Sequence, residues 1–455
     1  MSYLFLLVLF YSQVSISASV LEVNDVLKST DIHHPLILKS LDSIRVAEAN
    51  LQKAKGGFDL TLKSYTDNRL KGYYDGNFFD VLLEKPFLFL NSKLYLGYRK
   101  SENFYPEYEG KYETLSQGEQ RVGLEISLWR DRRINDKSIK IFNSKLKRDI
   151  SKQDNKLKRN EIRKYATKAY WNWYSVGHNL RIKEELLKVA ELRQKGITQK
   201  VKRGDLAQIY QVENRQYIMK RKADVIKQKQ SFLESSMVLS LFFRDNKGKP
   251  LVVSSKYLSK DLRLDYIEKV ESKVSKKIKT KENPKLLNID LKIEQLLNKK
   301  LNAENDLHAK VNLKFEVSKD TGNGEKVLVE ENQRVMLSVE IPIERNLGNG
   351  NVRGFKNQIT RLKRTKDYEL EKLNLKIRQI KTRLQTYKSL IETTNQEYKL
   401  AQILEKAEQN KIKRGVSDFF ILNIREQNTA NAKIKLINSY SDLTKTVADY
   451  YELVF

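Results

Sequence analysis

The sequence contains no cysteine, and only four histidines and six prolines among its 455 residues. Without cysteine the chain can form neither a disulfide nor a thiolate metal site, and it has no thiol nucleophile. Four histidines, of which His33 and His34 are adjacent, offer little material for a metal centre. We also find no phosphate-binding loop and no nucleophile elbow. The sequence therefore predicts a protein that is not an enzyme and that uses no cofactor or metal.

Acidic residues are scarce relative to basic ones, since 57 Asp and Glu stand against 86 Lys and Arg, a formal charge of +29. Such an excess suggests nucleic acid, anionic lipid or anionic solutes as neighbours. The basic residues are, however, interleaved with acidic ones along helical stretches such as EIRKYATK (161–168). Because no nucleic-acid-binding motif is present, we interpret them as solvated helix faces and expect no nucleic-acid partner.

Long apolar runs are also missing, because no segment after the N-terminus has eighteen consecutive apolar residues. The N-terminal run LFLLVLF (4–10) is too short to span a bilayer and is followed by small and polar residues. Residues 1–18 are therefore predicted to be a signal peptide, although no Lys or Arg precedes the apolar run. We expect the mature chain to be exported.

The sequence carries an internal repeat. QRVGLEISLWRDRRI (120–134) aligns with QRVMLSVEIPIERNL (333–347), 213 residues later, and VKRGD (201–205) aligns with IKRGVSD (412–418), 211 residues later. Each copy reads as a helix, alternating strands, a long helix with coiled-coil spacing, a glycine turn and a returning helix. This predicts a first repeat over 19–244, an inter-repeat segment over 245–282 and a second repeat over 283–455.

The strands have one apolar and one polar face. In DLHAKVNLKFEVS (306–318) apolar and polar residues alternate without interruption. In a second run, 334–343, every second residue is apolar from Val335 onward. Runs of about nine to thirteen residues suit either a bilayer crossing or a sheet packed on the helices. Two strand pairs cannot close a barrel, and lipid does not tolerate open edges, so a membrane location requires several chains in a ring. The aromatic-rich insertion 71–118 adds either further strands or an external loop.

These features together resemble the TolC family of outer-membrane efflux proteins. The residues that carry the resemblance are HPLILKSLDSIRVAEANLQKAKGGFDLTLKSY (34–65), EIPIERNLGNGNVRG (340–354) and RGVSDFFILNIREQ (414–427), and it covers essentially the whole mature chain. It implies a mainly helical fold in which three chains give four strands each to one twelve-stranded transmembrane β-barrel above an antiparallel coiled-coil tunnel. It also implies a homotrimer in the outer membrane of a Gram-negative bacterium, with a long periplasmic extension.

The same resemblance implies a function and a set of residues. The chain would be the exit duct of a tripartite efflux or type I secretion system, a passive conduit opened by docking to a periplasmic adaptor (membrane fusion protein) and an inner-membrane transporter. The aperture and adaptor contact would lie at Arg203, Gly204, Asp205, Arg414, Gly415, Ser417 and Asp418. The barrel lumen would be lined by His308, Lys310, Lys314 and Glu340. Outer-membrane lipid would contact Val311, Leu313, Phe315, Leu337 and Val339.

Two departures and one alternative accompany this interpretation. Trp129 stands in the first copy where the second has Pro342, and Ile421 and Ile424 stand where family members often carry gating carboxylates. Asp418 could replace that acidic gate or could cap the returning helix. The alternative function is a periplasmic coiled-coil adaptor or a structural protein of an envelope complex, which would need one hairpin rather than two.

Overall fold

The computed structural model describes residues 20–71, 76–102, 113–259, 282–324 and 331–454. The predicted signal peptide lies outside the described residues, as does the larger part of the inter-repeat segment, 260–281. The described residues form seven α-helices and six β-strands. The mainly helical fold with an added sheet, expected from the sequence, is confirmed. None of the described helices is both long and apolar enough to cross a membrane.

The helices fall into a short and a long class. The shorter ones are α1 (Val23–His33), α2 (Pro35–Lys55) and α5 (Pro284–Asn305). The long helices are α3 (Asp136–Lys202), α4 (Ile209–Ser240), α6 (Asn346–Lys413) and α7 (Phe419–Val454). The predicted order of helix, strands, long helix and returning helix thus occurs twice along the chain.

The strands form one antiparallel sheet whose spatial order follows the chain, from β1 to β6. Their bounds are β1 (Thr61–Arg69), β2 (Gly76–Pro86), β3 (Lys93–Glu102), β4 (Gly118–Ser127), β5 (Lys310–Thr321) and β6 (Glu331–Glu340). The four strands per chain implied by the resemblance are therefore too few. The insertion 71–118 supplies the two additional strands, β2 and β3, which lie between β1 and β4.

The predicted start of the strand at Asp306 is also wrong, because β5 begins at Lys310. Backbone hydrogen bonds continue past the end of α5, a helical one from Asp306 N–H to Asn302 C=O (3.0 Å) and a turn one from His308 N–H to Asn305 C=O (3.1 Å). These bonds hold residues 306–308 in a helix-terminal turn, so the alternating pattern at this end is not realised as strand.

The chain divides into two compact units. The first comprises Met1–Lys39, Lys156–Asn283 and Glu371–Phe455, and the second comprises Ser40–Asn155 and Pro284–Leu370. Each unit draws segments from both predicted repeats. The core of the first unit is centred on aromatic residues of α3, with Trp173 fully buried beside Tyr170 and Tyr174. The second unit contains the whole sheet.

Candidate functional site

One face of the sheet is apolar and exposed. The strand register places Val311 opposite Val339, Leu313 opposite Leu337, and Phe315 opposite Val335. Leu337 is 63% exposed and Val339 is 55% exposed. The same face continues across the sheet in a row of neighbouring residues, Leu62, Leu83, Leu96, Val122 and Val317. The sheet therefore presents to its surroundings the kind of side chain that a water-soluble protein normally buries.

The opposite face is polar and carries ion pairs. Lys310 lies directly opposite Glu340. Lys314 Nζ lies 3.2 Å from the carboxylate of Glu316, and it also lies over the ring of Tyr95, 4.8 Å from its centroid. This face also holds the buried pair of Arg99 with Glu119 and the half-buried pair of Arg121 with Asp80. The predicted lumen residues Lys310, Lys314 and Glu340 therefore share one face, and the predicted lipid contacts share the other.

Two glycines on the polar face let long side chains cross a strand. Tyr95 on β3 passes over Gly123 of β4 and donates a hydrogen bond to Glu316 of β5. A Cβ added at Gly123 would collide with the Tyr95 ring. In the other direction Arg121 of β4 passes over Gly97 of β3, where an added Cβ would lie 2.6 Å from Arg121 Nε. Arg121 then donates to both carboxylate oxygens of Asp80 on β2 at 2.6 Å.

His308 does not lie in the sheet, because it precedes β5. Its ring stacks on Trp129, with the ring centroids 6.1 Å apart. Close by, Arg130 donates to Asp306 (3.0 Å), and Asp131 adopts a positive φ of 68°. This cluster forms the passage from β4 to α3, the place where the second repeat has Pro342. His308 therefore lies at the junction between strand and helix and not on the polar face of β5, and its place in a lumen stays a prediction.

The ends of the two long hairpins have the same backbone geometry. Gly204 and Gly415 have φ values of 80° and 76°, a conformation that glycine adopts without strain. After each helix, one N–H donates to the carbonyl five residues back and the preceding N–H donates to the carbonyl three residues back. These bonds are Asp205 to Lys200, Gly204 to Val201, Val416 to Lys411 and Gly415 to Ile412. This is the Schellman pattern of helix termination, so both glycines have a structural role.

The structure brings the starts of the two returning helices together, close in sequence to the predicted tip residues. The Tyr210 and Phe419 rings are 6.4 Å apart, and the Tyr217 and Phe420 rings are 6.5 Å apart, so the start of α4 lies beside the start of α7. Arg203 is exposed and lies 3.4 Å from Asp205.

Asp418 accepts a hydrogen bond from Phe420 N–H at 3.0 Å and so caps α7, whereas Ser417 donates to Glu408. Of the two roles considered for Asp418, capping is the one that the geometry displays.

A buried ionic cluster that was not predicted from the sequence lies between α3, α4 and α7. Glu426, only 4% exposed, receives hydrogen bonds from Arg193 and from Arg221, which is 3% exposed. Both guanidinium groups also donate to Asn423 Oδ1, and Arg221 donates to the carbonyl of Leu186 at 2.8 Å. Burial lowers the pKa of Arg221, and the neighbouring carboxylate of Glu426 opposes this.

A sequence signal for this cluster did exist. The buried positions of α4 include Asn214, Ile218, Arg221 and Val225, which follow steps of four and three residues. A polar residue at such a core position of a coiled coil specifies register and partner. The sequence could thus have marked Asn214 and Arg221 as buried polar residues, but not their partners on α7. Among the described residues, no group of His, Asp or Glu side chains is placed to hold a metal ion.

Comparisons with known proteins bear on the fold. No protein-family model and no curated protein matches the sequence. Among solved structures, the open state of the Neisseria gonorrhoeae MtrE outer membrane channel superimposes with a TM-score of 0.66 at 12% identity, covering 97% of this chain and 93% of that one. The Vibrio cholerae outer membrane protein VceC gives 0.64 at 11% identity, covering 95% of each chain.

The Campylobacter jejuni CmeC outer membrane channel gives a TM-score of 0.63 at 11% identity, covering 95% of this chain and 85% of that one. Identities this low establish the fold alone. At that level, the resemblance predicted from the sequence is confirmed, because the chain has the fold of these outer membrane channels over nearly its whole length.

Proposed function

We propose that this chain is a subunit of an outer-membrane channel, the exit duct of a tripartite efflux or type I secretion system. In this proposal it is a passive conduit in the outer membrane of a Gram-negative bacterium, not an enzyme. The sheet forms part of a transmembrane barrel, and the long helices form the periplasmic part of the duct.

One observation carries the proposal, namely the distribution of side chains over the sheet. Apolar side chains such as Leu337 are exposed on one face, whereas ionic and hydroxyl groups such as Glu316 and Tyr95 are buried on the other. In water this arrangement would be costly, because apolar surface is hydrated and charges are withdrawn from solvent. In a barrel, the apolar face contacts lipid and the polar face lines an aqueous lumen. Strands of nine to twelve residues also match the length of a tilted crossing.

Assembly from several copies is supported by α4. Apolar residues recur on it at intervals of seven, and all four are exposed in the single chain: Val212, Met219, Ile226 and Leu233. A heptad stripe of this kind packs against another helix in a coiled coil. We propose that this stripe contacts a neighbouring copy in a homotrimer.

The hairpin ends are the proposed contact with the periplasmic adaptor, through which the inner-membrane transporter would be coupled to the duct. Arg203 and Arg414 are exposed there, next to glycine turns that fix the ends of α3 and α6. Exposed arginines on rigid turns suit recognition of carboxylates on a partner surface. Asp418 caps α7, and its part in the aperture stays a prediction.

The test is fractionation of the full chain expressed in a Gram-negative host, with one lysine placed on either face of β6. Leu337→Lys puts a charge in the apolar face and, if that face meets lipid, opposes insertion by up to about 2–4 kcal/mol. The matched control Ser338→Lys puts the same charge on the polar face. We expect the unmodified chain and S338K in the outer-membrane fraction as detergent-extractable trimers, and L337K to be lost from it. Release of the unmodified chain from the periplasm without detergent would contradict the proposal.

A further inference from the structure

The hairpin formed by β2 and β3 has the same two faces as the strands around it, although Phe78 and Leu82 of β2 also lie on the polar face. Val81 and Leu83 of β2 and Leu94 and Leu96 of β3 point to the apolar face, in line with Val122 and Leu124 of β4. Asp80 and Glu84 of β2, and Tyr95 and Arg99 of β3, point to the polar face. A loop folded back over the sheet would not need this alternation. The hairpin is therefore patterned to occupy the same two environments as β4, β5 and β6.

Polar contacts fix the hairpin into the sheet over several strands. Arg121 reaches across Gly97 to Asp80, which links β4 to β2. Tyr95 reaches across Gly123 to Glu316, which links β3 to β5. Each contact skips one strand, and each depends on a glycine in the strand that is crossed. These contacts, together with a continuous register from β1 to β4, make the hairpin an integral part of one six-stranded sheet.

The two outermost strands of this sheet run in opposite directions. Among the described strands, β1 has β2 as its neighbour and β6 has β5, so each has an outer edge in the single chain. A sheet edge exposed to lipid is not tolerated, because its backbone groups have no water to bind. An even number of antiparallel strands lets β1 of one copy pair with β6 of the next in the same antiparallel manner. A second copy of the chain can thus pair with either edge strand.

We propose that the trimer closes its barrel through these edges and contains eighteen strands, six from each chain. This inference rests on the proposed function and extends it to the size of the duct. Barrel diameter grows about linearly with strand number, so the outer end would be about one and a half times as wide as a twelve-stranded barrel. Barrels of sixteen to eighteen strands enclose an aqueous channel. The class of cargo that this opening fits is a solute too bulky for a twelve-stranded opening.

The first part of the test asks what surrounds the hairpin. Because the chain has no cysteine, single cysteines can be introduced without background labelling. Single cysteines are placed at Leu83 and Leu96 on the apolar face of the hairpin, and at Leu337 on β6 as the reference. Intact outer membranes are then exposed to a water-soluble maleimide. The expected result is loss of labelling at all three positions, with labelling by a lipid-soluble maleimide retained. Labelling of L83C and L96C by the water-soluble reagent, with L337C protected, would place the hairpin outside the barrel and overturn the proposal.

The second part counts the copies that share edges. A cysteine at Thr61 on β1 is combined in turn with one at three polar-face positions of β6, Asn332, Met336 and Ser338. The membranes are then treated with a short bifunctional maleimide. Cross-linked products that end at three chains support a closed trimer and, together with a protected hairpin in the first part, the eighteen-stranded barrel. Products that end at two chains indicate a twelve-stranded dimer and overturn the inference.

Electron cryomicroscopy of the extracted protein supplies a direct count of the strands. A trimer with twelve strands would refute this inference while leaving the channel function intact. Absence of the chain from the outer membrane would instead refute the proposed function.

Discussion

At the scale of single residues, Glu426 balances two buried arginines. Arg193 and Arg221 both donate to its carboxylate, and neither guanidinium group has ready access to water. Replacing Glu426 by Gln leaves two like charges buried near each other without their counter-ion. Breaking a buried pair in this way costs about 3–5 kcal/mol, so we expect E426Q to lower the midpoint of thermal unfolding, measured by circular dichroism of the helices.

A surface pair provides the control for E426Q. Glu397 accepts from Lys435 at 2.8 Å with both side chains exposed, so E397Q should cost at most about 1 kcal/mol. If E426Q and E397Q unfold at the same temperature, the buried cluster contributes nothing particular to stability.

A second prediction concerns Gly123, over which the Tyr95 ring lies. Gly123→Val removes the space that the ring occupies and leaves the buried carboxylate of Glu316 without its phenolic donor. We expect G123V to reduce the amount of protein assembled in the outer membrane, measured by heat-modifiable mobility on gels.

The control is Gly350 in α6, which has open space around it. G350A should assemble normally and gain about 1 kcal/mol of helix stability. Normal assembly of G123V would show that the crossing contact is dispensable.

At the scale of elements, the C-terminal end of α7 is held by cations from two other helices. Glu452 receives hydrogen bonds from Lys164 of α3 (2.7 Å) and Lys376 of α6 (3.0 Å). Burial raises the pKa of Glu452, but the two hydrogen bonds and the positive charges of the two lysines together lower it more, so that the net pKa lies below the ordinary value of 4.5. Since the folded pKa is lower than the unfolded one, the carboxylate stabilises the fold above about pH 4.5, and this contribution is lost as the pH falls through the folded pKa.

We therefore expect the unfolding temperature to drop as the pH is lowered from 5 to 3, and the drop to be smaller in Glu452→Gln. At pH 7 the same substitution should destabilise the protein by about 1.5–3 kcal/mol, as for other hydrogen bonds to charged groups. Parallel pH profiles for the variant and the parent protein would show that Glu452 is not among the groups that titrate on unfolding.

The hairpin ends and the strands β5 and β6 are the elements that the sequence predicts best. The hairpin ends could be predicted because a glycine after a basic helix end is a local signal, and both glycines have a positive φ. The two faces of β5 and β6 could be predicted because apolar and polar residues alternate regularly over 310–318 and, apart from Met336, over 334–340.

The strands β2 and β3 could not be predicted firmly, because apolar residues fall on both faces of β2. Phe78 packs against Tyr65 on the polar face, beside Phe79 on the other, and Leu82 lies on the polar face next to Leu83. These residues mask the period of two. The cluster around Glu426 could not be predicted for a different reason. Arg221 lies more than 200 residues before its partners Asn423 and Glu426 in the sequence.

At the scale of the whole molecule, the exposed stripe on α4 makes a prediction about assembly. Ile226 is 68% exposed in the single chain and lies at the centre of the heptad series from Val212 to Leu233. If this stripe packs against the next copy, Ile226→Glu buries a charge at the interface between copies, without disturbing the core positions of α4 such as Val225. We expect I226E to reach the membrane fraction but to yield monomers in detergent, with the mass measured by light scattering.

The control Ser231→Glu adds the same charge to an exposed position on another side of α4, and this variant should remain trimeric. Trimers of I226E as stable as the parent would mean that α4 does not contact a neighbouring copy, and that the copies associate through the sheet edges alone.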